Sequence, residues 1–212
     1  MASEIEHKFL DPNIGRRRKT IRDHFAESNR DKVGPPFFSI MEFNLSGLCN
    51  RKCVFCPRVN PEIFPNLNEH IPIDLYEKIM ADLAEVSYDG TIIFSGFGEP
   101  LLYKRLEVAI ELTKRYCPSA RLEITTDGDF VKPEKLRSLF DAGLDVLLIS
   151  MYDGPEQVEE FKAIIADSGV DESKVILRTR WLPPEEHYGI TLNNRSRTAE
   201  IPDADIGKLD EP

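Results

Sequence analysis

A chain of 212 residues holds one sizeable domain with a real core and is short for two, and 41% hydrophobic against 30% charged residues is a globular balance, not a disordered one. The net charge of −10 excludes nucleic acid as the bulk partner, because binding a polyanion relies on Lys and Arg neutralising its phosphates. No apolar run approaches the roughly 18–20 residues of a membrane span, and the opening MASEIEHKFL carries acids where a signal peptide has basic residues before an apolar stretch, so the expected location is the cytoplasm.

Residues 1–36 read as a polar extension with one modest helix around Lys19 to Glu27, and the run Arg16-Arg17-Arg18-Lys19 is expected on a surface helix face. From residue 37 to 182 strands and helices alternate. Phe37 to Leu45 alternates enough for a first strand, and the Cys-rich stretch follows its end. Pro72-Ile73-Asp74 opens a helix with Leu75, Ile79, Met80 and Leu83 at helical spacing, ended by a turn at Tyr88 to Gly90. Thr91 to Ser95 is a nearly continuous apolar run, as a strand buried on both faces should be.

A helix from about Arg105 to Tyr116 follows, then a third strand from Arg121 to Thr126. Pro133 marks a helix start and Gly143 its stop. Asp145 to Ser150 is a fourth strand. Pro155 and Gly169 bracket the next helix, with Val158, Phe161, Ile164 and Ile165 as its buried stripe, and Lys174 to Trp181 is a fifth strand. The tail, 183–212, is expected to be irregular apart from a short sixth strand at Tyr188 to Leu192. This rhythm predicts an α/β fold: a parallel sheet with right-handed crossovers, forming an incomplete (β/α)5–6 TIM-like barrel whose site lies at the C-terminal strand ends.

Three of the four cysteines sit in Cys49-Asn-Arg-Lys-Cys53-Val-Phe-Cys56. Iron–sulfur cubes usually take four thiolates, so three on one short loop leave one iron open, by the logic that separates open from closed metal sites. The alternatives are a zinc knuckle, whose fourth ligand would have to come from Cys117, His24, His70 or His187 at unpaired spacing, an inert thiol cluster, or a disulfide. Cys117, late in a helix, reads as an ordinary half-buried thiol.

Gly96-Phe97-Gly98-Glu99-Pro100 follows the second strand, where two glycines let backbone approach a ligand and Glu99 can accept from an ammonium group; alone it is also a plain turn. Asp127, in Thr125-Thr126-Asp127-Gly128, is either a ligand contact or a turn residue. Arg178 and Arg180 share one face of the fifth strand, and Arg178 is read as facing inward, where it needs an anion.

The triplet, with Phe55 just before its last Cys, resembles the signature of the radical S-adenosylmethionine (SAM) superfamily over residues 38 to 182. The resemblance implies a [4Fe–4S] cluster on Cys49, Cys53 and Cys56 whose open iron binds SAM. It also implies reductive cleavage of SAM to a 5′-deoxyadenosyl radical that abstracts hydrogen from a peptide, protein or sugar-like substrate. Gly96, Phe97, Gly98 and Glu99 resemble the Gly-Gly-Glu motif that receives the SAM amino group, with Phe97 in place of one glycine. By the same resemblance Thr126 meets the ribose or methionine part, Ser150 the carboxylate, Arg178 the carboxylate or the substrate, and Phe55 the adenine, or else it excludes water.

Arg51, Lys52 and Arg58 are read either as ordinary solvated loop charges or as a basic collar for an acidic electron donor of the flavodoxin or ferredoxin type. Arg178 to Pro184 and Leu192 to Ser196 are similar to the stretch leading into the Cys-rich domain of SPASM-type members, and no Cys follows Cys117. The chain is then either a fragment that stops before that domain, which its ending favours, or a short one-cluster relative. A non-catalytic iron–sulfur sensor or electron carrier on the same fold is the rival reading.

Overall fold

The computed structural model describes residues 12–28, 38–53 and 56–180. Its elements are α1 (Pro12–Ser28), β1 (Ile40–Phe43), α2 (Ile73–Glu85), β2 (Thr91–Phe94), α3 (Leu106–Tyr116), β3 (Arg121–Thr126), α4 (Pro133–Asp141), β4 (Val146–Met151), α5 (Gln157–Ser168) and β5 (Val175–Thr179). The sheet runs β1-β2-β3-β4-β5 with every neighbour parallel.

Side chains alternate across a strand, and here the alternation separates two chemistries. Phe43, Ile92, Phe94, Leu122, Ile124, Leu147, Ile149 and Leu177 face the helices and join one core with Met80, Leu106, Ile110, Leu136, Leu139, Phe161 and Ile165. The opposite face carries the polar Glu42, Ser95, Glu123, Thr125, Ser150 and Arg178 beside the buried Ile93, Val146 and Leu148. Residues in register, such as Phe43 with Phe94 and Ser150 with Arg178, bring the C-terminal strand ends to one rim. A single layer of helices, α2 to α5, on one face of a five-stranded parallel sheet is the incomplete barrel that the strand–helix rhythm predicts.

On α2 the expected Ile79, Met80 and Leu83 pack on the core, and only Leu75 departs from expectation. Leu75 is 47% exposed, and Tyr76 takes its place in the core. Its ring meets Phe43 and Phe94 edge-on at 5.4 and 5.8 Å, and its hydroxyl shares a 2.6 Å hydrogen bond with Thr113 Oγ1. A helix can bury a Tyr when its hydroxyl finds a partner. Cys117 is buried rather than half-buried. The expected sixth strand and the tail lie outside the described residues.

The basic run on α1 is not simply a solvated face. Arg16 donates through Nη1 and Nη2 to both oxygens of Glu123 at 2.6 and 2.8 Å, and Arg17 lies 3.7 Å from Glu42. These ion pairs tie the helix to β3 and β1. Glu123 is 2% exposed and also accepts from Arg121. Burial pushes its carboxyl up, but the two guanidinium groups outweigh this and hold it below its ordinary 4.5. A depressed carboxyl contributes stability that is present above the unfolded value and is lost as pH falls through the folded one. Arg16→Ala should therefore lower the unfolding free energy by about 1–2 kcal/mol at neutral pH and reduce the acid sensitivity. An unchanged thermal midpoint would show that this pair does not hold α1.

Candidate active site

The loop after β1 is pinned before it reaches the first thiol. Gly47 N–H donates to Glu69 O at 2.7 Å, Ile71 N–H to Leu45 O at 3.0 Å, and Cys49 N–H to Asn66 Oδ1 at 2.9 Å. Cys56 N–H closes a turn onto Cys53 O at 2.9 Å, and a short 3-10 turn at Pro57–Val59 follows. Arg58 is 4% exposed and is consumed by this architecture. It donates to the carbonyls of Phe97 and Gly47 and to Asn66 Oδ1, and lies over the Phe64 ring. Of the three cations read as a collar, Arg58 is therefore buried, Arg51 is ion-paired to Asp129 and Asp153, and Lys52 is exposed.

The loop after β2 approaches from the other side. Gly96 has φ +120°, a region that side chains rarely adopt, and a Cβ on Gly98 would stand 1.8 Å from Ser46 O. Gly98 N–H donates to Asn44 Oδ1 at 2.9 Å, and Glu99 N–H to Leu48 O at 2.8 Å, so the two loops are stitched together. Phe97, where the resemblance has glycine, turns its ring onto Phe64 at 4.9 Å.

Glu99 is 3% exposed. Its Oε1 accepts from Leu101 N–H at 2.9 Å and Thr126 Oγ1 at 2.7 Å, and its Oε2 from Asp127 N–H at 3.0 Å. The Thr126 hydroxyl also accepts from Gly128 N–H at 3.1 Å, so Thr126 supports Glu99 and the turn. Burial and then the Asp127 charge push Glu99 up to about 8. Burial likewise raises Asp127, whose Oδ2 is buried with no hydrogen-bond partner among the described residues.

At the far wall Arg178 Nη2 donates to Ser150 Oγ at 2.7 Å, and Arg178 and Arg180 are 8% and 4% exposed. Together these groups line one cavity of about 100 Å³ holding Cys49, Cys53, Cys56, the Gly96 to Glu99 loop, Thr126, Asp127, Ser150, Arg178 and Arg180. Phe55 lies outside the described residues. Ser95 and Tyr152 also line the cavity and were not among the expected site residues. The signal for Tyr152 was the two-residue strand period continued past Ser150.

Residues 43–179 match the model of the radical SAM superfamily. The chain belongs to this superfamily. It is 30% identical over 159 residues to the S-adenosyl-L-methionine-dependent 2-deoxy-scyllo-inosamine dehydrogenase of Niallia circulans, covering 74% of this chain and 59% of the dehydrogenase. It is 33% identical over 111 residues to the GTP 3′,8-cyclase of Nautilia profundicola, covering 51% and 33%. The crystal structure of BtrN in complex with AdoMet and 2-DOIA superposes with a TM-score of 0.64 at 27% identity, over 79% of this chain and 64% of that one. The chain thus spans about three-fifths of the length of the dehydrogenase and of the BtrN chain.

Radical SAM enzymes use a [4Fe–4S] cluster and SAM as cofactors, and the residues present fit both. Burial first, and then Cys49 and Cys56, push the Cys53 thiol up to about 12, and burial raises Cys49. Burial keeps Cys49 and Cys53 as thiols in the apoprotein, and a cationic centre such as bound iron would favour their thiolates. Among the described residues no three Cys, His, Asp or Glu side chains converge to hold one metal ion. A cube takes each thiolate on a separate iron and needs no such convergence. The buried, unsatisfied Asp127 Oδ2 suits the cationic end of an amino acid such as the methionine part of SAM.

For Glu99 the folded pKa lies above the ordinary 4.5, so folding of the apoprotein takes up a proton here. Its contribution is present below 4.5 and is lost as pH rises through about 8. Between about pH 6 and 9 the apoprotein should lose roughly 1–2 kcal/mol more stability than Glu99→Gln, measured by denaturant midpoints. Parallel pH profiles would show that Glu99 ionises freely.

Proposed function

We propose that this chain is the core of an enzyme that reductively cleaves SAM and begins its reaction by abstracting hydrogen from a small, polyhydroxylated, sugar-like alcohol. The observation that carries the reading is that Cys49, Cys53 and Cys56 line the same cavity as the Gly96 to Glu99 loop, Asp127 and the Ser150–Arg178 pair. When bound and reduced, the cluster supplies the electron that splits the SAM sulfonium into methionine and a 5′-deoxyadenosyl radical.

The chain's own residues bind and orient. Cys49, Cys53 and Cys56 would hold the cluster through three of its irons, leaving the fourth for SAM. The carbonyls of the Gly96 to Glu99 loop and Asp127 Oδ2 face the ammonium end of SAM, with Glu99 bracing the Asp127 backbone through its 3.0 Å bond. Arg178, steadied on Ser150, is placed for the carboxylate. Thr126 holds Glu99, and Phe55 remains a proposed cover for the adenine. The low polarity of a buried cavity strengthens each of these contacts.

The substrate class is supported by the likeness to the inosamine dehydrogenase, together with a cavity lined by several polar and ionic side chains. A peptide substrate is the other class the family allows. An acidic donor of the flavodoxin or ferredoxin type is proposed to deliver the electron, with exposed Lys52 the cation available to meet it. A cytoplasmic setting is proposed because thiolates that ligate a metal need a reducing compartment; among the described residues no helix is long and apolar enough to cross a membrane.

Anaerobic reconstitution should load about four irons and four sulfides per chain. Cys53→Ala should lose the cluster absorbance, since two thiolates cannot hold the cube at this mouth. Iron and sulfide content unchanged in that variant would contradict the assignment. Zinc without sulfide in the wild type would do so as well.

A further inference from the structure

One guanidinium joins the thiol loop to the two turns that complete the rim. Arg51 lies between Cys49 and Cys53, and its Nε and Nη2 form one edge that meets both oxygens of Asp129, the Nε bond being 2.7 Å. The other edge, Nη1 and Nη2, meets both oxygens of Asp153 at 2.7 Å each. Two carboxylates thus occupy both forks of one planar group, an arrangement that Lys, with a compact ammonium, cannot reproduce.

The partners are placed to matter. Asp129 belongs to the turn after β3, where its N–H donates to Asp127 Oδ1 at 3.0 Å, and Asn50 Nδ2 holds it from the thiol loop at 2.5 Å. Asp153 belongs to the turn after β4, three residues beyond Ser150. Gln157 fixes it through a 3.1 Å bond to Oδ2 and a 2.9 Å bond from Asp153 N–H. The guanidinium also lies over the Tyr152 ring at 5.7 Å. A lone exposed ion pair adds little, but bidentate pairs in a shared network are the exception. This network spans 78 and 102 residues of sequence, so it orders segments that nothing local relates.

We propose that Arg51 is a positioning residue, a clasp that holds the Cys49–Cys56 loop in register with the turns carrying Asp127 and Ser150 to Tyr152. It rests on the reading of this cavity as a cluster and SAM site. The clasp fixes the spacing between the cluster and the groups that receive SAM, while leaving cluster binding to the thiols. Charge alone does not suffice, because the double fork sets the direction of both turns.

The test uses the full chain, anaerobically loaded, as wild type, Arg51→Gln, Arg51→Lys, and Arg51→Gln combined with Asp153→Asn. Iron content, the SAM dissociation constant and the change that SAM causes in the reduced cluster's EPR spectrum are measured. Both single variants should keep their iron and bind SAM about tenfold more weakly with a diminished spectral change, and adding Asp153→Asn should cost less than about threefold more, since the clasp is already open.

Wild-type affinity and spectrum in Arg51→Gln, or in Arg51→Lys, would overturn the proposal, and loss of iron from Arg51→Gln would overturn it by placing Arg51 in cluster holding. A loaded wild type that gives no spectral response to SAM would instead overturn the cofactor reading. The clasp is then decided on the apoprotein by lysyl endopeptidase cleavage after Lys52, expected about tenfold faster in Arg51→Gln. Equal cleavage rates would overturn it.

Discussion

The site depends on one constraint: five parallel strands, each beside its sequence neighbour, with α2 to α5 packed on one face. Burying Ile92, Phe94, Leu122, Ile124, Leu147 and Ile149 against the helices fixes the phase of every strand. Once the phase is set, Ser95, Thr125, Ser150 and Arg178 have no choice but the opposite face, and the loops after β1 to β4 meet at one rim. A one-residue slip in any strand would exchange aliphatic for polar groups across the sheet. The chemistry is thus positioned by packing that takes no part in it.

On that rim the electrostatics are poised for a cationic occupant on one side and an anionic one on the other. Three thiols, Glu99 and Asp127 crowd the first side, and burial raises the pKa of each of Cys49, Cys53, Glu99 and Asp127. Two buried guanidinium groups, Arg178 and Arg180, form the other. An amino acid offers both an ammonium and a carboxylate group, and iron offers the charge that thiolates need. The same desolvation that makes the empty apoprotein costly in this region makes each contact to an ionic ligand strong.

Much of the fold was legible because its signals were local. The Pro133 start, the strand at 121–126 and the two-residue alternation of Arg178 and Arg180 are read directly from neighbouring residues. The Cys spacing and the glycine-rich turn pointed to candidate site residues for the same reason, and one cavity gathers those candidates that lie in the described residues. What local patterns could not show was long-range pairing. Arg16 looked like part of a solvated run until its partner, Glu123, stood 107 residues away. Arg51 and Arg58 looked like free loop cations, although one bridges two distant turns and the other fills the base of the thiol loop. The Leu75-for-Tyr76 error on α2 has the same origin, since an aromatic cluster with Phe43 and Phe94 decides which face is buried. Phe97 shows how a departure from a motif is absorbed, its ring docking on Phe64 while its backbone keeps the close approach that Gly98 permits.

The central claim is that three thiols at the mouth of this cavity serve SAM cleavage. It is tested most directly by measuring 5′-deoxyadenosine formed from SAM by the anaerobically loaded protein with dithionite. The account predicts product from the wild type and none from Cys53→Ala. A fully loaded wild-type cluster that forms no 5′-deoxyadenosine would contradict it.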